Sequence, residues 1–387
     1  MNKPPQFSSY FWAGYECTSS LPEDRNRLDM LRATKHDQYC REDYRLAKSI
    51  GISTVREGLA WSRIDKGNNA YDFARYEAIL KIGQEENIQQ IWDLNHFDFP
   101  GYLNAFSDKF VVQFAEYARR SIHLIRKYQQ GTIYIAPINE ISFFTWIGAD
   151  RGNWAPYRKG RKNGLLFKKQ LVKASIAAMD AIWSEDADVQ FIQVDPFMRR
   201  KAREPANEQA LAHVKEFNSV IMYEAWDMLY GKTYPELGGD PKYLQIAGIN
   251  YYIYNQEWVV SKKRGGIGHR MMSWTDKNRV HLKELLREVH ERYNCNLVIT
   301  ETGSYGDLRQ RWWKRLLSEI GDIRKENTLP LSGVCAYPVL DRPDWTNFLI
   351  PNSGLWDFKS DDPECKRIPH EPSLNLVMQY INEWNKQ

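Results

Sequence analysis

The sequence lacks the patterns that mark several large classes of protein. Its five cysteines are odd in number, widely spaced and never arranged as Cys-x-x-Cys, which argues against a disulfide framework and a zinc site. The chain has no His-x-x-x-His, no clustered triple of Asp, Glu and His, and no glycine-rich loop in the strand–helix context that binds phosphate. We therefore expect neither a metal nor a cofactor.

Long apolar runs and an excess of one charge are also missing. No segment approaches the length that spans a membrane, and the first residues contain no apolar signal region. The net charge of +4 comes from interspersed residues of both signs, which gives no reason to expect nucleic acid as a partner. The one dense basic stretch, 158–169, predicts a solvated loop leading into a helix. A cytoplasmic protein without a membrane segment fits best.

What the sequence does contain is a regular alternation of short apolar runs and longer helical patterns. The runs that predict strands are 11–16, 53–61, 89–96, 132–139, 189–195, 244–251, 296–301 and 332–340. Gly51 predicts the end of one helix, and Ser373 predicts the N-cap of the last. Strands separated by helices pair in parallel, so eight such units predict an α/β fold, a closed (β/α)8 TIM barrel. We expect residues 1–387 to form one catalytic domain.

The active site of such a barrel lies at the C-terminal ends of its strands. Four long irregular regions, 146–165, 196–204, 253–277 and 342–370, are predicted to form the rim above it. Glu140 directly follows the predicted strand 132–139, within Pro137-Ile138-Asn139-Glu140, and Glu301 ends the predicted strand 296–301, within Ile299-Thr300-Glu301. We expect these two carboxylates to face each other, which is what hydrolysis of a glycosidic bond requires.

The two glutamates have different predicted roles. As a general acid, Glu140 must stay protonated, whereas Glu301 must stay ionised as the nucleophile. Arg56 and Tyr252 are the candidates to hold Glu301 ionised, and Asn139 could bind the sugar 2-hydroxyl. A retaining mechanism predicts carboxyl groups about 5–5.5 Å apart, and a gap of about 6.5–9.5 Å would instead indicate inversion.

Other polar and aromatic side chains at strand ends are candidate substrate-binding or supporting residues. His96, in the run His96-Phe97-Asp98-Phe99-Pro100, could bind a sugar hydroxyl. Trp345 and Tyr337 could form an apolar platform beneath a pyranose ring. The remaining candidates are Glu16, Asn250 and Asp344.

Several runs together resemble the retaining glycoside hydrolases of clan A, most closely the family 1 β-glycosidases, from about residue 11 to residue 358. They are Ile138-Asn139-Glu140 (Phe-Asn-Glu in the family), Gly248-Ile249-Asn250-Tyr251-Tyr252 (Gly-Leu-Asn-Tyr-Tyr), Ile299-Thr300-Glu301-Thr302-Gly303 (Ile-Thr-Glu-Asn-Gly), His96 to Pro100 (His-Trp-Asp-Leu-Pro) and Leu340 to Trp345 (Leu-Asp-Asn-Phe-Glu-Trp). The resemblance implies that Glu140 is the acid/base, that Glu301 is the nucleophile and that Tyr252 contacts it.

The departures from the family pattern fall where the family recognises its sugar. Its sugar-binding Gln is missing, and Glu16 is the candidate to replace it. Its Trp on the last strand is Tyr337 here, and its Glu that binds the 4- and 6-hydroxyls is the shorter Asp344. We therefore expect a divergent member with intact catalysis and altered substrate choice.

Three functions remain open at this point. The first is a retaining hydrolase that cleaves a β-glycosidic bond through a covalent glycosyl-enzyme. The second is a transglycosidase that uses a sugar or lipid as acceptor. The third is a non-catalytic carbohydrate-binding protein on a barrel scaffold. All three predict a carbohydrate partner.

Overall fold

Eight parallel strands close into a barrel in this computed structural model, which describes residues 6–23, 26–263, 265–347, 349–359 and 362–384. The barrel strands are β1 (Phe11–Gly14), β2 (Thr54–Gly58), β3 (Gln89–Asp93), β4 (Ile133–Ala136), β5 (Val189–Pro196), β6 (Ile246–Asn250), β7 (Asn296–Thr302) and β8 (Leu331–Ala336). Each pairs in parallel with its neighbours along the chain, and β1 closes the barrel by pairing with β2 and β8. The predicted (β/α)8 barrel is confirmed.

Helices lie between the strands and cover the barrel. The longer ones are His36–Ser49, Ala74–Glu85, Asp108–Tyr128, Arg161–Glu185, Glu208–Ser219, Glu224–Tyr230, Leu282–Tyr293, Leu308–Glu326 and Glu371–Trp384. Short helical turns are Met30–Ala33, Trp61–Ile64, Ile141–Thr145, Ile221–Tyr223, Pro235–Leu237 and Pro241–Tyr243. Apolar periodicity explains the packing, since Leu282–Tyr293 buries residues at i, i+3, i+4 and i+7. Within the described ranges, no helix is long and apolar enough to cross a membrane.

Two apolar layers fill the fold and leave the strand ends for polar groups. Inside the barrel, side chains such as Trp12, Ile192 and Val298 form a small buried cluster. A larger cluster fills the space between the strands and the helices. Because the barrel interior is packed, a substrate pocket must lie above it, at the strand ends.

Two regions predicted to be irregular, 196–204 and 253–277, contain a small sheet instead. Gln256–Ser261 pairs in parallel with Arg199–Ala202 and antiparallel with Ile267–Met271. The prediction was wrong because Arg199–Ala202 has no apolar pattern of its own. It is a strand through its pairing with a distant segment, supported by an Arg200–Glu257 ion pair at 3.0 Å.

The other two rim regions also contain regular elements. Trp146–Asp150 is a π-helical turn, and Trp356–Asp357 pairs with Ile368–Pro369. A further short pair, Asp65–Gly67 with Ala70–Tyr71, follows β2.

The prediction for the last helix was right about its existence and wrong about its start. The helix begins at Glu371, two residues before Ser373. Pro372 is compatible with a first helical turn, where its missing N–H costs nothing. The Ser373 hydroxyl lies 2.9 Å from Nδ1 of His370 instead of capping the helix at its first residue.

The basic stretch 158–169 is only partly a loop, because the helix Arg161–Glu185 begins within it. Lys168 is buried rather than solvated, and its Nζ donates to Oε2 of Glu224 at 2.7 Å. The predicted helix end at Gly51 is present, with a φ of 88° that glycine adopts readily.

Candidate active site

Glu301 lies near the end of β7 with a hydrogen-bond donor at each carboxylate oxygen. Arg56, on β2, donates from Nη1 to Oε1 at 2.8 Å. Tyr252, which follows β6, donates its hydroxyl to Oε2 at 2.7 Å. A guanidinium and a hydroxyl thus hold both oxygens of this buried carboxylate in place, as a nucleophile requires.

Arg56 is the centre of the polar network, because all five of its N–H groups are engaged. Nε and Nη2 donate to the two oxygens of Asp93 at 3.0 and 2.7 Å. The other contacts are Nη2 to Oδ1 of Asn139 at 2.8 Å and Nη1 to the carbonyl of Thr300 at 3.0 Å, besides the bond to Glu301. With its side chain 1% exposed, the guanidinium is fixed before any substrate arrives.

Glu140 follows β4 in the left-handed region of backbone conformation, with a φ of 47°. This conformation is strained for a residue other than glycine. Its N–H donates to the carbonyl of Val194 at 3.0 Å, and the helix Ile141–Thr145 begins at the next residue. The buried carboxyl group accepts a hydrogen bond from Nδ2 of Asn250 at 2.9 Å.

Burial and the negative charge of Glu301 raise the pKa of Glu140 to about 8, against the opposing effect of the Asn250 hydrogen bond. Glu140 therefore carries a proton at neutral pH. Asp195 adds a smaller contribution in the same direction as Glu301. With its pKa raised in this way, Glu140 can act as an acid at neutral pH.

Asn139 lies between Arg56 and His96, and its contacts define its orientation. Oδ1 accepts from Arg56, and Nδ2 lies 3.1 Å from Nε2 of His96. Nδ1 of His96 lies 3.0 Å from Oδ2 of Asp93. Both nitrogens of His96 are thus engaged within the protein, and the sugar contacts predicted for His96 and Asn139 stay predictions.

Glu16, just beyond β1, is buried and binds other residues of the protein through both carboxylate oxygens. Its Oε1 accepts from the backbone and hydroxyl of Thr18 at 3.0 and 2.6 Å, and its Oε2 lies 2.9 Å from Nε of Arg342. Burial alone would raise the pKa of Glu16, but the charges of Arg342 and His96 and the hydrogen bonds from Thr18 together outweigh it and hold the pKa below its ordinary value. Sequence reasoning did not single out Arg342, although it lies within the family-like run Leu340 to Trp345.

The two aromatic residues predicted as a sugar platform lie in different surroundings. Tyr337 is only 3% exposed, nearly parallel to the His96 ring at 5.9 Å, and the Arg56 guanidinium lies 5.2 Å from its ring centre. Trp345 is half-buried and packs against Trp154 at 5.4 Å. Trp345 is therefore the more accessible of the two platform candidates.

Asp344 binds its own loop. Its Oδ1 accepts from the backbone N–H groups of Thr346 and Asn347 at 2.8 and 3.2 Å. This is a turn-stabilising arrangement typical of aspartate. At least one carboxylate oxygen of Asp344, which was predicted to bind the sugar, is therefore engaged within the loop.

Sequence reasoning also missed Asp93, Thr300 and Tyr254. Asp93 ends β3 and binds both Arg56 and His96, so the rule that strand ends carry functional groups could have identified it. Thr300 donates to Oδ1 of Asn250 at 2.7 Å and thereby directs Nδ2 of Asn250 at Glu140. The half-exposed Tyr254 stacks on Tyr252 at 5.2 Å.

One cluster at the site has the residue types of a metal centre. Ligand atoms of Cys17, Asp93 and His96 lie within 4.8 Å of one another. Both oxygens of Asp93 already bind Arg56, so a cation there would have to displace a guanidinium. The donor set does not fit a metal.

Comparison with known proteins identifies the family. The family model described as Glycosyl hydrolase family 1 matches residues 18–237, more than half of the chain. The chain belongs to glycosyl hydrolase family 1. The predicted resemblance is confirmed, and membership makes this chain a β-glucosidase-like glycoside hydrolase whose substrate is a carbohydrate.

Individual relatives are distant. The chain is 20% identical to the human protein named cytosolic beta-glucosidase, over 85% of this chain and 83% of the relative. Among solved structures, it resembles the family 1 beta-glucosidase from Thermotoga maritima (TM-score 0.77, 15% identity, 99% of each chain) and the beta-glycosidase from Pyrococcus horikoshii (TM-score 0.78, 16% identity, 98% of this chain and 96% of that one). At such identities the structural likeness shows the fold.

Proposed function

We propose that this family 1 member is a retaining β-glycosidase in which Glu140 is the acid/base and Glu301 is the nucleophile. The observation that carries the proposal is the contrast between the two carboxyl groups. Glu301 accepts from a guanidinium and a phenol, whereas burial and the charge of Glu301 raise the pKa of Glu140 to about 8.

In the first step, Glu140 gives its proton to the glycosidic oxygen while a Glu301 oxygen attacks the anomeric carbon. The bond between that carbon and the leaving oxygen breaks, and the aglycone departs as an alcohol. The product on the protein is a glycosyl ester of Glu301. Arg56 and Tyr252 keep the attacking carboxylate in place.

In the second step, the ester no longer carries the negative charge of Glu301. Because that charge helps to raise the pKa of Glu140, the pKa falls and Glu140 becomes able to accept a proton. It takes one from a water molecule, whose oxygen attacks the anomeric carbon while the bond between that carbon and Glu301 breaks. Glu301 leaves as a carboxylate, and the sugar is released with its original configuration. Glu140 ends the cycle protonated, as it began.

The test is hydrolysis of a panel of nitrophenyl β-glycosides, with glucoside, galactoside, mannoside, fucoside, xyloside and glucuronide among the donors. Glu301→Gln should lose activity on every donor that the wild type cleaves. Glu140→Ala should lose most activity on poor leaving groups and regain turnover with azide, giving a β-glycosyl azide. Glu284→Gln, at an exposed position, is the matched control and should behave as the wild type.

The same assay separates the alternatives. Proton NMR of the first product tests retention, which stays a prediction, because an inverted anomer would contradict the double displacement. An added sugar or lipid acceptor that captures most of the donor would favour a transglycosidase. Sugar binding without turnover on any donor would favour a carbohydrate-binding protein.

We also propose a cytoplasmic location. The name of the human relative, cytosolic beta-glucosidase, supports it. Fractionation of the native cells, followed by an activity assay of each fraction, tests it.

A further inference from the structure

Asp195, near the end of β5, binds the backbone that immediately follows Glu140. Its Oδ1 accepts from the N–H of Ser142 at 2.9 Å, and its Oδ2 accepts from the Ser142 hydroxyl at 2.5 Å. The residue is only 1% exposed. Both carboxylate oxygens therefore fix the first turn of the helix Ile141–Thr145, which begins next to Glu140.

This attachment matters because Glu140 has a strained backbone. A left-handed conformation costs of order 1–3 kcal/mol outside glycine and persists only where the surroundings impose it. On one side, the Glu140 N–H is held by the carbonyl of Val194, on the same strand as Asp195. On the other side, Asp195 holds Ser142. Strand β5 thus holds the chain both at Glu140 and just after it.

Asp195 also brings a charge. Burial raises the pKa of Asp195 to about 6, so the carboxylate is ionised at neutral and alkaline pH. Its two donors belong to an uncharged serine, and the nearby cation Lys168 binds Glu224. The charge of Asp195 is therefore incompletely neutralised where it faces Glu140.

Among the described residues, other titratable groups that act on Glu140 or are acted on by it follow or lie on strands β3, β6 and β7. Glu301 lies on β7, His96 follows β3, and Tyr252 and Tyr254 follow β6. Among these groups and Asp195, the two carboxylates are the ones that favour the protonated form of Glu140. Glu301 reacts during catalysis, whereas Asp195 does not.

We propose that Asp195 is a positioning residue for catalysis, which fixes the backbone of Glu140 and keeps the proton on it through its own negative charge. The proposal rests on the acid/base role of Glu140 proposed above. Asp195 would contribute in two ways, through its charge and through its hydrogen bonds to Ser142. Different substitutions remove the two contributions.

The experiment compares Asp195→Asn with Ser142→Ala in the full-length enzyme. Asparagine is nearly the same size and can still accept from the Ser142 N–H, but it carries no charge. Alanine at 142 keeps the charge and removes the hydroxyl bond. Asp98→Asn is the matched control, because Asp98 is also a buried carboxylate that binds a serine backbone N–H, that of Ser62 at 2.8 Å.

The readouts are the pH dependence of kcat/KM and the sensitivity to the leaving group. In Asp195→Asn, the alkaline limb should move to lower pH by roughly half a unit, since an anion that favours protonation is lost. Activity should fall about tenfold on alkyl glycosides, which need the acid, and by less than about twofold on dinitrophenyl glycosides, which do not. The alkaline limb should stay in place in Ser142→Ala and in Asp98→Asn.

An alkaline limb in Asp195→Asn that coincides with that of the wild type would overturn the proposal. So would equal losses on both kinds of leaving group, because they would indicate a structural role alone. Asp195→Ser, also uncharged, gives the same comparison if the asparagine variant does not fold. If Glu140→Gln itself keeps full activity on alkyl glycosides, the proposed function fails instead, and the two failures are thereby distinguishable.

Discussion

Replacing Arg56 by methionine tests whether the site depends on one buried cation. Methionine keeps much of the length and apolar volume of the side chain but provides neither a charge nor a donor. The substitution leaves Asp93 and Glu301, with side chains 0% and 6% exposed, without the guanidinium that both of them bind. Two carboxylates would then be buried with no cation between them.

The expected loss of stability follows from that burial. Removing one partner of a buried ion pair costs about 3–5 kcal/mol. An unfolding entropy of about 2.1 cal/mol/K per residue corresponds to about 0.8 kcal/mol/K for 387 residues, so Tm should fall by about 4–6 °C. The loss of the charged hydrogen bond to Glu301 should also lower kcat/KM by roughly 10–100-fold.

The assay is calorimetric unfolding together with nitrophenyl glycoside hydrolysis. Arg309→Met is the matched control, because Arg309 is also buried but pairs with Asp357 instead of Glu301. It should lower Tm and leave kcat/KM unchanged. The sharpest comparison adds Glu301→Gln. In the Arg56→Met background this second change should raise Tm, since it neutralises an uncompensated carboxylate, whereas in the wild type it should not.

Two results would refute this reasoning. One is an Arg56→Met variant with the Tm and activity of the wild type. The other is a Glu301→Gln substitution that changes Tm by the same amount in both backgrounds, which would mean that the two side chains are not coupled.

Three further predictions concern single groups. With the pKa of Glu140 raised to about 8, kcat/KM should fall above about pH 8 as the acid loses its proton, and a pH profile on a glycoside with a poor leaving group measures this. Tyr252→Phe removes a 2.7 Å bond to Glu301, so steady-state kinetics should show kcat/KM lower by roughly 10-fold or more. Buried His36 has the carboxylates of Asp43 and Glu57 at 2.8 and 2.9 Å from its two nitrogens. Burial alone would lower the pKa of His36, but its neighbours together outweigh burial and raise the pKa well above the usual value. His36 therefore adds stability that is complete below its unfolded pKa of about 6.5 and is lost as pH rises through its folded pKa. The Tm gap between the wild type and His36→Gln should narrow at alkaline pH.

The barrel could be predicted because its strands are encoded locally. Each is a short apolar run that ends in polar residues, and that pattern is visible without knowledge of the neighbouring strand. The strand Arg199–Ala202 has no such pattern and depends on a partner from another loop. The start of the last helix was misplaced for a related reason, since Glu371 and Pro372 are compatible with both a loop and a first helical turn.

The residues of the site could be predicted from the sequence, but not which of their polar atoms are available to bind a substrate. Glu16 and His96 lie near strand ends, and Asp344 lies in the loop that follows β8. Their hydrogen-bonding groups are nevertheless engaged by Arg342, Asp93 and the Asp344 loop itself. Competition between a substrate and a neighbouring side chain depends on distances between separate loops, which no local pattern contains.

The two anions near Glu140 explain why one carboxyl group can serve both steps of the proposed reaction. In the free enzyme both Glu301 and Asp195 favour the protonated form, as an acid requires. After Glu301 becomes an ester, Asp195 is the one of these two anions that remains. The pKa of Glu140 therefore falls, but it stays above the value it would have without Asp195. A residual anion keeps Glu140 a stronger base than an isolated buried carboxyl group with the same Asn250 hydrogen bond would be. The charge that disappears lowers the pKa of Glu140 for its change of role, and burial together with the charge that stays supports Glu140 as the base of the second step.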